Sequence, residues 1–212
     1  MRRDEALDVI LATKVIAVIR MSNPEKLGSV TDAIVKGGVR AVEITMTTPD
    51  AMNILQAMSA KKARGVLVGA GTVLDAGTAK AVLAAGADFV VSPILDLNLI
   101  RVCRAADAFV AAGGLTPTEI VTAWNAGADV VKVFPATSVG PKYFRDLKGP
   151  FPNIRLMPTG GVDAGNAADF IKSGACAVAV GTALLDPVLI GKNDWTALEK
   201  NARALVEALA RV

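Results

Sequence analysis

Four glycines set the frame for this chain. Gly38, Gly86, Gly127 and Gly174 open the phrases GVRAV, GADFV, GADVV and GACAV, each placed after an amphipathic stretch and two residues before a short β-branched run. A glycine there ends a helix by taking a left-handed backbone conformation that side chains resist. The separations, 48, 41 and 47 residues, each hold two strand–helix units, so the marks fall on strands 2, 4, 6 and 8 of a repeating series. The runs KVIAVIR, RAVEIT, GVLVGAGT, DFVVSP, AFVAAG, DVVKVFP, IRLMPT and CAVAVGT alternate with helical patterns such as PEKLGSVTDAIVKGG and AGNAADFIKSG. This predicts an α/β fold, a single (β/α)8 TIM barrel over residues 1–212, with residues 2–13 as an extra N-terminal helix at the barrel's lower end. An open doubly wound sheet is built of the same units, and eight near-regular repeats favour closure over it.

The repeat also supplies a register. Five residues on from each glycine stand Glu43, Val91, Lys132 and Ala179; seven on stand Thr45, Pro93, Phe134 and Gly181. Positions two apart on a strand point the same way, and a barrel interior is stacked in layers of four side chains from alternate strands. The two sets then form one layer and the layer above it, toward the C-terminal mouth, with Glu43 and Lys132 facing each other from opposite strands. The opposite phase would press a carboxylate and an ammonium against the surrounding helices, which costs more. Lys132 stands among Val130, Val131, Val133 and Phe134. A lysine enclosed by apolar groups has its charged form disfavoured, and the free amine can attack a carbonyl to give a Schiff base. The resulting iminium is an electron sink beside which a carbon–carbon bond can break, with Glu43 moving the protons. The pair can also be read as a buried ion pair that only fills the barrel. Such a pair is often no more stabilising than apolar residues of equal volume, so its place on strands that carry barrel active sites favours chemistry.

Composition narrows the chemistry. Histidine is absent, which removes Ser/His and Cys/His nucleophile pairs and His-ligated zinc. The 23 Lys plus Arg against 20 Asp plus Glu are dispersed, with no basic stripe interleaved with aromatics, so nucleic acid is not an expected partner. Charged residues, Gly or Pro interrupt every apolar run short of a membrane span, so no membrane is expected either. Cys103 and Cys176 lie in apolar contexts without metal-ligand spacing and are expected to be reduced fillers. The first residues lack a signal-peptide pattern, and a cytoplasmic location is expected.

Two glycine-bearing segments, PTGGVDAGN after strand 7 and VGTALL after strand 8, fall where such barrels bind phosphate through backbone N–H groups and a helix N-terminus. Gly160, Gly161, Gly181 and Thr182 are the candidates. GAGTV at 69–73 lacks the spacing of a nucleotide phosphate loop, and Thr72 is expected instead to offer a hydroxyl at the mouth.

VEIT around Glu43, GAGTV, SP at 92–93, LTPTE at 115–119, KVFP at 132–135, GPFPNIRLMPTGGV and VGTALL, in this order along nearly the whole chain, resemble the class I 2-dehydro-3-deoxy-6-phosphogluconate aldolases, also known as 4-hydroxy-2-oxoglutarate aldolases. The resemblance implies a homotrimeric barrel enzyme that needs no metal or other cofactor. It would cleave 2-keto-3-deoxy-6-phosphogluconate to pyruvate and glyceraldehyde 3-phosphate, and 4-hydroxy-2-oxoglutarate to pyruvate and glyoxylate. It assigns the Schiff base to Lys132, the acid/base to Glu43, the pyruvate pocket to Thr72, Pro93 and Phe134, and the phosphate site to Gly160, Gly161 and Thr182. Thr45 and Thr47 are further candidate substrate contacts. One position departs: many members carry an arginine four residues after the glutamate to hold the pyruvate carboxylate, where this chain has Thr47. Arg20, ending strand 1, can grip a carboxylate bidentately and resembles the arginine of the related 2-dehydro-3-deoxy-6-phosphogalactonate aldolases, so a galactonate-derived substrate is an alternative. A barrel isomerase or synthase would share the glycine loops without needing Lys132, and a binding barrel would hold a phosphorylated ligand without turnover.

Overall fold

Each of the four glycine phrases is a helix end. In the computed structural model, which describes residues 2–21 and 24–212, Gly38, Gly86, Gly127 and Gly174 have φ between +99° and +105°. The next amide reaches back five residues each time: Val39 to Ile34 O, Ala87 to Val82 O, Ala128 to Ala123 O and Ala175 to Phe170 O, at 3.0 to 3.1 Å. This is the hydrogen bond of a helix closed by a left-handed glycine, and it turns the chain directly into the following strand.

The strands are β1 (Val15–Ile19), β2 (Ala41–Thr45), β3 (Leu67–Gly71), β4 (Phe89–Val91), β5 (Phe109–Gly114), β6 (Val130–Val133), β7 (Leu156–Pro158) and β8 (Val178–Val180). They form one parallel sheet in the order β7-β6-β5-β4-β3-β2-β1-β8. Two isolated parallel bridges, Leu156 to Ala175 and Thr159 to Ala179, draw the ends together. This is the (β/α)8 barrel expected from the repeat, with seven strands inside the runs named above and β5 extending one residue past its run, to Gly114. Helices α1 (Arg3–Thr13), α2 (Leu27–Lys36), α3 (Ala51–Lys61), α4 (Ala76–Ala84), α5 (Leu97–Ala105), α6 (Pro117–Asn125), α7 (Gly140–Lys148), α8 (Ala167–Lys172), α9 (Pro187–Gly191) and α10 (Trp195–Ala210) complete it.

Strand parity divides the interior in two. Val42, Ile44, Val131 and Val133 belong to the cluster that packs the strands against the helices. Ala41, Val91, Val130 and Ala179 belong to a separate cluster inside the barrel, which Ala6 and Ile10 of α1 join from below. The extra helix therefore plugs the lower end, over Phe89 and Phe109 packed edge to face with centroids 6.2 Å apart. Gly69 lets that floor form, because a Cβ there would lie 2.4 Å from the Phe89 ring.

The aspartates of the repeated GAD phrases brace this end. Asp88 accepts the Val68 N–H and Asp129 the Val110 N–H, each at 2.9 Å. Asp129 also holds the plug, accepting from Arg3 of α1 at 3.1 Å. Asp129→Ala leaves the buried Val110 amide without its acceptor and removes one of the carboxylates that hold Arg3, and is expected to cost about 1–3 kcal/mol. The effect is read as a lower urea midpoint at unchanged m; an unchanged midpoint would show that the brace carries no weight.

Candidate active site

The parity that puts Ala41 and Val130 inside the barrel puts Glu43 and Lys132 there too. Glu43 is fully buried and Lys132 is 4 % exposed, on strands with three others between them on one side of the ring. Gly71 makes the seat for the carboxyl, since a Cβ there would stand 1.7 Å from Glu43 Oε1. Neither Glu43 oxygen has a hydrogen-bond partner. Burial therefore governs both groups: it pushes the Glu43 carboxyl above the usual range, against the pull of Lys132 and Arg20. It also pushes the Lys132 ammonium below its ordinary value, with Glu43 opposing and Arg20 adding to the fall. Both shifts favour the uncharged forms, an amine facing a protonated carboxyl.

Above this level stand the other residues singled out by the register. The Lys132 ammonium lies 5.2 Å from the centre of the Phe134 ring, and Phe134 is 40 % exposed at the mouth. Thr45 is buried and shares hydrogen bonds with Thr48 Oγ1 at 3.1 Å and Thr47 Oγ1 at 3.2 Å. Thr47 itself is exposed at the rim. Thr72 has φ +55°, an uncommon conformation for a β-branched residue and one that concentrates at functional sites. Pro93 is seated against β5, where a Cβ on Gly113 would meet its carbonyl at 2.3 Å.

A cavity of about 720 Å³ opens on the β7, β8 and β1 side of the mouth. Its walls bring together Arg20, Phe134, Gly160, Gly161, Gly181 and Thr182; Thr45, Thr47, Thr72 and Pro93 lie outside this lining. Its inner end is close to the pair, because Val18 of the lining is in register with Glu43 and Phe134 is the ring beside Lys132. Gly160 and Gly161 have φ +90° and +70°, and a Cβ on Gly161 would stand 2.3 Å from Thr137. Thr159, which the sequence did not single out, also lines the cavity. Its hydroxyl is buried without a partner, and the only signal for it was its place before the two glycines. Among the described residues, no group of three His, Cys, Asp or Glu is arranged to hold a metal.

A buried amine whose charged form is disfavoured, facing a carboxyl whose proton is held more tightly than usual, can catalyse carbonyl chemistry covalently, and on a (β/α)8 frame that is the equipment of an aldolase barrel. The chain belongs to the KDPG and KHG aldolase family, whose model matches residues 7–201. It is 33% identical to the 2-dehydro-3-deoxy-phosphogluconate aldolase of Pseudomonas aeruginosa over 93% of this chain and 90% of that one. It is 32% identical to the 2-dehydro-3-deoxy-6-phosphogalactonate aldolase of Escherichia coli over 80% of this chain and 83% of that one. Among solved structures it resembles the KDPG aldolase of Legionella pneumophila with pyruvate captured as a covalent carbinolamine intermediate, at TM-score 0.87 and 26% identity over 94% of this chain and 97% of that one.

The two buried groups lower stability when charged. Glu43, raised on folding, favours the fold below its ordinary value and loses that contribution as pH rises; Lys132, depressed, loses its contribution as pH falls below 10.5. Replacing both, as Glu43→Gln with Lys132→Met, is expected to leave stability unchanged or raise it by about 1–4 kcal/mol while abolishing turnover. A lower urea midpoint for the double variant would show that the pair is there for stability.

Proposed function

We propose that this chain cleaves 2-keto-3-deoxy-6-phosphogluconate reversibly to pyruvate and glyceraldehyde 3-phosphate, all of residues 1–212 serving as one catalytic unit. The observation that carries the reading is the Lys132 amine, enclosed in the lumen opposite a carboxyl that nothing else engages. The amine adds to the C2 ketone, and the carbinolamine loses water with a proton from Glu43. Glu43, now a carboxylate, takes the proton of the C4 hydroxyl, the C3–C4 bond breaks, and its electrons pass into the iminium to give an enamine as the aldehyde departs. Glu43 returns a proton to C3, and water releases pyruvate and restores the amine. The Thr159 hydroxyl is suited to hold the oxygen that becomes the aldehyde, and Thr72, Pro93 and Phe134 to enclose the keto acid. Arg20 serves the carboxylate in place of an arginine at Thr47. Gly160, Gly161, Gly181 and Thr182 receive the phosphate at the other end of the cavity.

Arg20 on the cavity wall, with threonine at 47, also supports a second reading, in which the galactonate-derived stereoisomer is the preferred substrate. Comparison of kcat/KM for the two stereoisomers and for 4-hydroxy-2-oxoglutarate decides between them. We further infer a cytoplasmic homotrimer. Support for self-association comes from Met52, Leu74, Ile94 and Leu97, exposed apolar residues on the consecutive loops and helix starts after β2, β3 and β4. Among the described residues no helix is long and apolar enough to cross a membrane. Light scattering of the purified protein should give three times the subunit mass.

Incubation with pyruvate and borohydride should leave a reduced adduct on Lys132, found by peptide mass spectrometry; a folded protein without it would sink the amine mechanism. The pH profile supplies an independent check. kcat/KM should rise as Lys132 loses its proton, on a limb displaced below 10.5. Because Arg20 disfavours the Lys132 ammonium, Arg20→Met should move the rising limb to higher pH and raise KM for pyruvate in the synthetic direction. A limb that stays in place would separate Arg20 from the amine.

A further inference from the structure

A second cation stands on the wall of the same cavity, outside both glycine loops. Lys26 ends the short turn Pro24–Lys26 that precedes α2 and lines the cavity beside Pro187, Ile190 and Gly191. Its ammonium donates to Ile190 O at 3.0 Å and Gly191 O at 3.2 Å. A lysine at a helix start ordinarily extends into water. This one turns instead to α9, which follows the neighbouring strand β8, 164 residues further along the chain.

Two carbonyls do not neutralise an ammonium, and they occupy two of its three protons. The third is left for whatever occupies the cavity that Lys26 lines. The charge on the wall points to the occupant. Arg20 and Lys26 are its cations and Asp163 its carboxylate, and Asp163 is already engaged by the N–H groups of Gly165 at 2.8 Å and Asn166 at 3.1 Å. Arg20 acts on the Lys132–Glu43 pair electrostatically and so belongs to the inner end. Lys26, tied to the end of α9, belongs to the outer one. An elongated anion with a carboxylate at one end and a phosphate at the other matches one cation to each. A compact ammonium that meets phosphate as a point charge suits the outer position.

We propose that Lys26 is a specificity-determining residue that binds the terminal phosphate of the substrate and so selects phosphorylated over unphosphorylated keto acids. The proposal rests on the aldolase reading for its substrate and on the cavity wall for its geometry. Holding α9 in place is the structural part of the same contact, and it would serve every substrate equally. Selection between substrates is what the charge adds.

The test compares Lys26→Met and Lys26→Arg with the parent protein on 2-keto-3-deoxy-6-phosphogluconate and on 4-hydroxy-2-oxoglutarate, with titration of inorganic phosphate followed calorimetrically at low ionic strength. Lys26→Met should lower kcat/KM for the phosphorylated substrate about tenfold, the size expected for one lost charged hydrogen bond, through KM and not kcat. It should leave the unphosphorylated substrate within about twofold and weaken phosphate binding about tenfold, while Lys26→Arg restores most of both. Equal losses on the two substrates would reduce Lys26 to a strap for α9 and overturn the proposal, as would phosphate binding that is unchanged in Lys26→Met. If the parent protein turns over neither substrate but binds phosphate in a Lys26-dependent way, the aldolase reading fails and the phosphate contact stands.

Discussion

A carboxyl and an amine share a lumen otherwise lined with hydrocarbon, and neither carboxyl oxygen finds a protein partner. Desolvation of an unpaired charge is among the largest penalties a fold can carry, so the two groups persist only as far as the surroundings let them be neutral. Several features of the barrel follow from accommodating them. Gly71 is glycine because the Glu43 carboxyl occupies the space a side chain would need, and Gly113 leaves room for Pro93 in the same way. The lower half of the lumen is closed by the α1 plug and the Phe89–Phe109 contact, which keeps water from reaching the pair from below. Access is left to the mouth alone, on the side where the cavity opens.

Much of this architecture was legible because the repeat constrains it twice. The left-handed glycines end helices, and the fixed count from each glycine sets the side-chain phase of the next strand. A shift of one residue would have placed Glu43 and Lys132 against the helices. The positions Val91, Lys132 and Ala179 therefore came out on the lumen side together with Glu43. The turn after β7 was legible from glycine alone, since the backbone angles at Gly160 and Gly161 are ones that side chains resist.

What escaped the sequence depends on long-range contact. Thr159 is one more threonine until β7 and the loops around it bury its hydroxyl against an open cavity. Asp88 and Asp129 each stand two residues after a helix-ending glycine, and their task, accepting an amide near the start of a neighbouring strand, needs the strand order to be known. Lys26 reads as the start of a solvated helix; only α9, supplied by the far end of the chain, turns it toward the mouth. Thr72 was expected for its hydroxyl, whereas its left-handed backbone could not be read from GAGTV, where glycines on the N-terminal side offer more obvious places for such a conformation.

The cavity's position relative to the pair fixes how a substrate can lie. Lys132 is on β6, and the glycine loops follow β7 and β8, so the proposed covalent bond and the proposed phosphate site are adjacent around the ring. Thr45 ends β2, and Thr72 and Pro93 follow β3 and β4, on the other side of the amine. A molecule bound through C2 to Lys132 must therefore send its phosphorylated arm over β7 and β8 and turn its short keto-acid end toward β2 to β4. Arg20, after β1, stands where these two sectors meet. From there it acts electrostatically on both Glu43 and Lys132 while lining the cavity. One guanidinium in that position disfavours the ammonium form of Lys132, and if it also binds the substrate carboxylate as proposed, substrate binding and amine activation are coupled through a single charge. Once a carboxylate neutralises Arg20, its influence on the amine weakens, and Lys132 can more readily carry the positive charge that the iminium requires.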